Sequence, residues 1–175
     1  MLIRMIKYMM ALISFSLGCI GIYDNCLPPM DEKIHIEETY NLQEETDVEI
    51  SLSIPKLAFN RLLYPLGDSR NSLEQNIIFI EGSSMPDQIG GNVVIAGHSG
   101  NSKISYFKDI HKLDIGDIFF LKYRGIDYRY EIAKRYLVEK TGKVEVIRDR
   151  RKKTATLITC YGKDKQLVII AYLKE

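Results

Sequence analysis

An all-β barrel or sandwich behind an apolar N-terminal segment is the architecture that this 175-residue sequence predicts. Three observations carry it. After residue 48, short runs rich in Val, Ile, Tyr, Phe and Thr recur between turn signals at the spacing of a small β domain. Helical periodicity is nearly absent from the same stretch, and a basic flank followed by a charge-free run opens the chain.

The opening segment reads as an address. Arg4 and Lys7 precede a charge-free stretch over residues 8–23, closed by Asp24 and then Pro28 and Pro29. The stretch is short of the roughly 20 residues that cross a bilayer, so a spanning helix must continue through Met5 and Ile6 with Lys7 snorkelling. Positive charge before the segment puts the N-terminus inside the cell and the remainder outside. A cleaved signal peptide is the rival, with Ser16, Gly18 and Gly21 as small residues near a cut, and it exports the domain equally well. A buried core helix of a soluble protein is the third reading. Residues 24–47 include an acidic, weakly periodic tract and form a stalk or short helix. The predicted organisation is therefore an anchor over 1–23, a linker over 24–47 and a β domain over 48–175.

Within that domain, strands are expected at residues 48–54, 92–96, 118–123, 128–134, 136–139, 154–160 and 167–173. Gly116-Asp117, Gly125-Ile126-Asp127, Lys140-Thr141-Gly142-Lys143 and Gly162-Lys163-Asp164 supply the turns between them. Helix is expected only over residues 71–76, with a turn through 106–111. The basic run over 148–153, RDRRKK, fits a solvated loop before a strand or a contact with anionic cell-wall polymers or lipid headgroups.

Composition narrows the function. With 24 Lys and Arg against 23 Asp and Glu, the formal charge is +1, which offers a nucleic acid no basic surplus. The three cysteines, 19, 26 and 160, form an odd set, so one thiol stays free of any intramolecular disulfide. Cys19 and Cys26 lie in or beside the apolar segment. Cys160 is the one in the domain.

Two strand ends then carry chemistry. The run NVVIAGHS, residues 92–99, delivers His98 at the end of an apolar strand, and TLITCY, residues 156–161, delivers Cys160 at the end of another. A thiol attacks as thiolate, and an imidazole can take its proton and later protonate a leaving amine. Each residue alone also suits a structural role. Metal binding by His98, His111 and Cys160 is a further option, although no pair has metal-ligand spacing. The oxyanion donor that acyl transfer needs is not evident from these two runs.

Together these segments resemble the sortase family. The resemblance runs from about Ser51 to the C-terminus and rests on Ile54-Pro55-Lys56, the segment around His98, Tyr106-Phe107, Leu113 with Gly116-Asp117, and TLITC before the end. It implies an eight-stranded sortase-type β-barrel with short helices, on the surface of a Gram-positive type cell. It implies a cysteine transpeptidase that cleaves a Leu-Pro-x-Thr-Gly-like sorting signal through a thioacyl intermediate. The acyl group then passes to an amine of a peptidoglycan precursor or a pilin. Cys160 takes the nucleophile's place and His98 that of the general acid/base.

The family's third residue, an Arg at the start of the strand after the Cys, has no match. Gln166 occupies that register position with Lys165 beside it. Gln166 with help from Lys165 is the favoured replacement, and Arg124 or Arg148 from other loops is the alternative. Thr159, next to Cys160, is the expected substrate-binding neighbour. Leu137, Val138, Ile147 and Ile169 are groove candidates that suit a core equally, and Ser99 suits either assistance near His98 or turn capping. The short stretch between Tyr136 and Thr159, the stalk without an Asp-Pro-aromatic lid and the lack of a second apolar segment favour a class A-like or D-like enzyme. Glu37-Glu38 and Glu44-Glu45 suit a solvated stalk better than a calcium site, and no cofactor is expected. A cysteine hydrolase and a catalytically weak or silent binding module on the membrane surface are the competing functions.

Overall fold

A computed structural model describes residues 49–174, and the expected anchor and the expected stalk lie outside the described residues. Among the described residues no helix is long and apolar enough to cross a membrane. Eight strands form one sheet: β1 (Ile50–Ile54), β2 (Phe59–Leu63), β3 (Ile78–Phe79), β4 (Asn92–Ala96), β5 (Ile118–Tyr123), β6 (Ile126–Glu139), β7 (Thr154–Tyr161) and β8 (Lys165–Leu173). Their order is β2-β1-β5-β6-β8-β7-β4-β3, with β4 and β7 parallel and every other pairing antiparallel.

Side-chain alternation makes this sheet curl around one core. Leu52, Ile54, Val93, Ile95, Phe119, Leu121, Ala155, Leu157, Ile169 and Ala171 all point inward, each at most 1 % exposed. The two outermost strands approach one another through Asn76. Its amide Nδ2 donates to Leu62 O at 2.7 Å, and its Oδ1 accepts from Arg61 Nε at 2.8 Å, so the segment leading to β3 is stitched to β2 and the barrel is nearly closed.

Five of the expected strands appear with bounds shifted by no more than two residues. Three differences have physical causes. The strands expected at 128–134 and 136–139 are one strand, because a bulge between Ile132 and Lys134 switches which face is buried without breaking the ladder to β8. Strands β2 and β3 escaped the pattern: β2 exposes Asn60 and Leu62, and β3 has only two residues. The helix expected over 71–76 does not form. Asn71 instead brackets Phe79 with its amide, accepting from Phe79 N at 2.9 Å and donating to Phe79 O at 3.2 Å, and Asn76 serves the bridge above. Among the described residues, regular helix is confined to 3-10 turns at Pro55–Leu57 and Ile110–Lys112.

The turn between β5 and β6 is tighter than expected. Tyr123 pairs with Ile126, which leaves Arg124 and Gly125 as a two-residue loop, with φ of 51° and 76°. Positive φ at both positions is the type I′ geometry that matches strand twist.

Candidate active site

The parallel pairing of β4 with β7 decides where the two candidate reacting groups lie. Ala96 pairs with Ile158, and the neighbouring backbone stays attached beyond β4, since Gly97 N donates to Ile158 O at 3.2 Å. Beyond β4 the residues on either side of His98 stay bonded to the end of β7, Gly97 O to Thr159 Oγ1 and Ser99 Oγ to Cys160 O, which keeps His98 next to the strand end that carries Cys160. Alternation turns both away from the core: Val93, Ile95 and Gly97 face in on β4's chain, and Ala155, Leu157 and Thr159 face in on β7. His98 and Cys160 therefore share the outer face, each partly exposed, and Cys160 is a free thiol.

Two hydroxyls fasten this junction. Thr159, only 4 % exposed, donates from Oγ1 to Gly97 O at 2.7 Å, and Ser99 Oγ donates to Cys160 O at 2.6 Å. Each bond ties the backbone flanking one candidate residue to the backbone carrying the other. Thr159 thus points into the barrel and not along the face that carries Cys160. Ser99 does hold the His98 end, by bonding to Cys160's carbonyl.

Gly97 has a steric reason to be glycine. A Cβ there would lie 2.8 Å from Ile77 Cγ2 and from two ring carbons of Phe107, both fully buried neighbours. Their approach lets Phe107 N donate to His98 O at 2.9 Å. The carbonyl of His98 is thus pinned from inside the barrel while its ring remains on the outside. Nearby, Glu74 has its carboxyl held below the usual range by the Ser72 hydroxyl first, then by its own backbone N–H, with a smaller contribution from His98.

Cys160 pairs directly with Gln166 across β7 and β8, and Gln166 pairs in turn with Val138 on β6. Cross-strand partners share a face, so Cys160, Gln166 and Val138 form one row. Lys165 pairs with Tyr161 and Glu139 and is exposed, which places it on the opposite face from Cys160. Gln166 Oε1 is buried without a hydrogen-bond partner. It and the core hydroxyl of Tyr130 are the buried side-chain polar atoms in that state among the described residues. The other proposed substitutes lie elsewhere: Arg124 sits in the turn at the far end of β6, and Arg148 donates to Gly90 O at the start of β7. Six residues, or about 20 Å, separate Thr154 at that start from Cys160.

The groove candidates divide in the same way. Val138 belongs to the Cys160 row. Leu137 lies on the other face, 44 % exposed, and Ile169 is fully buried in the core, so neither lines this surface. Ile147 belongs to the segment between β6 and β7, held by a residue the sequence pattern did not single out. Tyr136 Oη donates to Glu145 O and accepts from Ile147 N, both at 2.9 Å. A tyrosine hydroxyl in need of partners, two residues from Val138, was the available signal. Asp149 N donates to Tyr172 Oη at 2.9 Å, so two tyrosines tether this segment along the outer face of β6 and β8, above the fully buried Val168 and Ile170.

His111 is remote from this arrangement in its contacts: its Nδ1 lies 2.8 Å from Lys108 O in the 3-10 turn. Among the described residues no group of three or more His, Cys, Asp or Glu converges as metal ligands do. A cleft of about 700 Å³ lies elsewhere, around the start of β7 and the end of β8.

No match is found among curated protein sequences. Solved structures do match. Sortase A from Corynebacterium diphtheriae, as a lid mutant, is 26% identical with a TM-score of 0.65, over 76% of this chain and 73% of that one. Sortase C1 from Streptococcus suis is 25% identical with a TM-score of 0.65, over 74% of each chain. Sortase C from Clostridium perfringens SM101 is 26% identical with a TM-score of 0.57, over 74% of this chain and 71% of that one. The likeness spans enzymes named A and C alike, so it speaks to family and not to class. A family model described as the sortase domain matches residues 52–174, nearly every residue of the barrel just described, and the chain belongs to the sortase family.

Proposed function

We propose that this chain acts as a cysteine transpeptidase on sorting signals and amine acceptors, outside the cell from a membrane anchor at residues 1–23, with Cys160 as nucleophile and His98 as general acid/base. The Cys160 thiolate attacks the threonyl carbonyl of a Leu-Pro-x-Thr-Gly-like signal. The C–N bond to glycine breaks, His98 gives its proton to the leaving amine, and a thioester remains on Cys160. An incoming peptidoglycan or pilin amine then attacks the thioester and gives a proton back to His98, which releases the thiolate.

The observation that supports this reading most is the shared outer face of His98 and Cys160 at two adjoining strand ends, fastened by Thr159 and Ser99. Gln166 takes the missing arginine's part in the proposal. An unpartnered buried acceptor costs about 1–3 kcal/mol, and a substrate backbone N–H would satisfy Oε1 while Nε2 donates toward the oxyanion. Lys165, across the sheet, contributes at most a diffuse positive field in this arrangement.

The deciding experiment incubates the reduced full chain with a library of Leu-Pro-x-Thr-Gly-like peptides and an amine acceptor, and follows products by mass spectrometry. An acyl adduct on Cys160, amine-joined product and complete loss of both in Cys160→Ala are expected. Product formed only with water would identify a hydrolase. Peptide binding without an adduct would favour the silent binding module, for which the absent arginine is the supporting observation.

A further inference from the structure

The basic run at 148–153 takes no part in the chemistry proposed above, yet it borders a cleft of about 700 Å³. Arg151, Lys152, Lys153 and Lys174 line that cleft together with Ile89 and Gly90. Arg150 borders it, its carbonyl lying where a Cβ on Gly90 would be 2.8 Å away. The nearby carboxylates are Asp149, ion-paired to Arg151 at 3.1 Å, Glu131, ion-paired to Lys174 at 3.2 Å, and the exposed Asp87, two residues from Ile89. Five cations against these three carboxylates leave the cleft positive in a chain of net charge +1.

Two further features belong to the same end. Ile89 is 94 % exposed, and Ile126, at the turn next to Arg124, is 57 % exposed. Large apolar side chains standing in water beside clustered Lys and Arg are the composition of a surface that rests in a lipid headgroup layer. In addition β1, the first described strand, begins here: Ile50 pairs with Tyr123, and Tyr123 with Ile126. Cys160 lies at the other end of β7.

We propose that this end of the barrel, Arg150 to Lys153 with Lys174 and Ile89, docks on an anionic phospholipid surface and turns the Cys160 end away from the membrane. The proposal rests on the membrane location proposed above. Charge complementarity alone would also admit an anionic wall polymer. The exposed isoleucines and the start of β1 at this end select the bilayer.

The sequence has no tryptophan, so Ile89→Trp introduces a single reporter at the proposed contact. The full-length Ile89→Trp chain is incorporated into nanodiscs of phosphatidylcholine with or without phosphatidylglycerol. Expected are a blue-shifted emission and quenching by doxyl-labelled lipid in the phosphatidylglycerol discs alone, both reversed by high salt. Replacing Arg150, Arg151, Lys152 and Lys153 by Gln should shift the docked-to-free ratio by about two orders of magnitude or more, at roughly tenfold for each one to two charges. Peptide turnover in detergent should be unchanged, which also checks that the variant folds.

Equal spectra in both discs, or a shift that survives high salt, would overturn the proposal without any charge variant. A shift produced by soluble poly(glycerol phosphate) but not by phosphatidylglycerol would overturn it in favour of a polymer. Incorporation into discs is scored separately, so an anchor that fails is distinguished from a surface that does not dock. In that event co-sedimentation of the same chain with phosphatidylglycerol vesicles decides, and failure to sediment rejects the docking.

Discussion

The two ends of the β7–β8 pair are built by opposite means. At the Cys160 end the backbone is fastened by neutral bonds from Thr159 and Ser99, and among the described residues the groups that would react carry no ion pair. At the far end the fastening uses charged side chains: the ion pairs of Asp149 with Arg151 and Glu131 with Lys174, and a part-buried bond from Arg148 to Gly90 O. Neutral hydroxyl-to-carbonyl bonds fix geometry without adding a field that competes with a developing oxyanion. Exposed ion pairs contribute little to stability, about 0–1 kcal/mol each, so the charge cluster's worth lies in the field it presents.

The sharpest break of that contrast is at His98. Replacing His98 by Ala should lower turnover by about 100- to 10,000-fold, the range for a lost general acid/base, with the peptide KM little changed. The same measurement on Arg151→Gln should show no change. A large loss in Arg151→Gln would mean that the two ends are not independent.

Gln166 comes next. Gln166→Ala should reduce kcat by about 100- to 1,000-fold if its amide is the oxyanion donor. Gln166→Arg should retain or raise activity, because the side chain leaves the same face as Cys160. Lys165→Ala should change kcat by less than about threefold, the expectation for a group on the opposite face held only by long-range charge. Single-turnover acylation rates check all three, and a dominant Lys165 effect would reject the Gln166 assignment.

How much of this was legible beforehand follows from what each residue type can announce. Cys160 and His98 were readable as candidates because an apolar run that ends abruptly in a reactive residue and a polar turn is visible in one dimension. Gln166 was readable only by counting back from the closing apolar run, and the ladder to Cys160 gives the count its physical meaning. Thr159 was noticed for its adjacency, yet its side chain turns inward, which a period of two could have shown. The pairing of β4 with β7 was not legible, since parallel register depends on contacts 62 residues apart, such as Thr159 with Gly97. Strand β2 was lost because Asn60 and Arg61 interrupt its apolar signal, and Asn71 and Asn76 looked helical while serving as bridges for neighbouring backbone.

Smaller effects test the fastenings themselves. Thr159→Val removes the donor to Gly97 O while keeping the volume, and should cost about 1–3 kcal/mol of stability for an unsatisfied buried carbonyl. Ser99→Ala, at a less buried bond, should cost about 0.5–1.5 kcal/mol. Chemical denaturation measures both. Kinetics should show kcat falling in each, because the bond sets where His98 stands relative to Cys160.

The mildest prediction concerns acid at the ionic end. Hydrogen bonds from the Arg151 guanidinium and then its backbone N–H hold the Asp149 carboxyl down at about 2, below its ordinary value of 3.8. A carboxyl whose folded value is depressed stabilises the fold above its unfolded value and loses that contribution as pH falls through the folded one. The contribution of Asp149 is therefore fully present at neutral pH and fades between about pH 4 and pH 2. Asp149→Asn should melt slightly lower than the parent at pH 7, and the gap should close across that acid window. Because the carboxylate is exposed, the gap is small and shrinks with salt. Among the described residues the Cys160 end has no such pair, so Thr159→Val should keep its deficit across the same window. Parallel melting curves of the two variants from pH 7 to pH 2 separate neutral fastening from ionic fastening directly, and a deficit in Asp149→Asn that persists unchanged at pH 2 would remove the ionic account of that end.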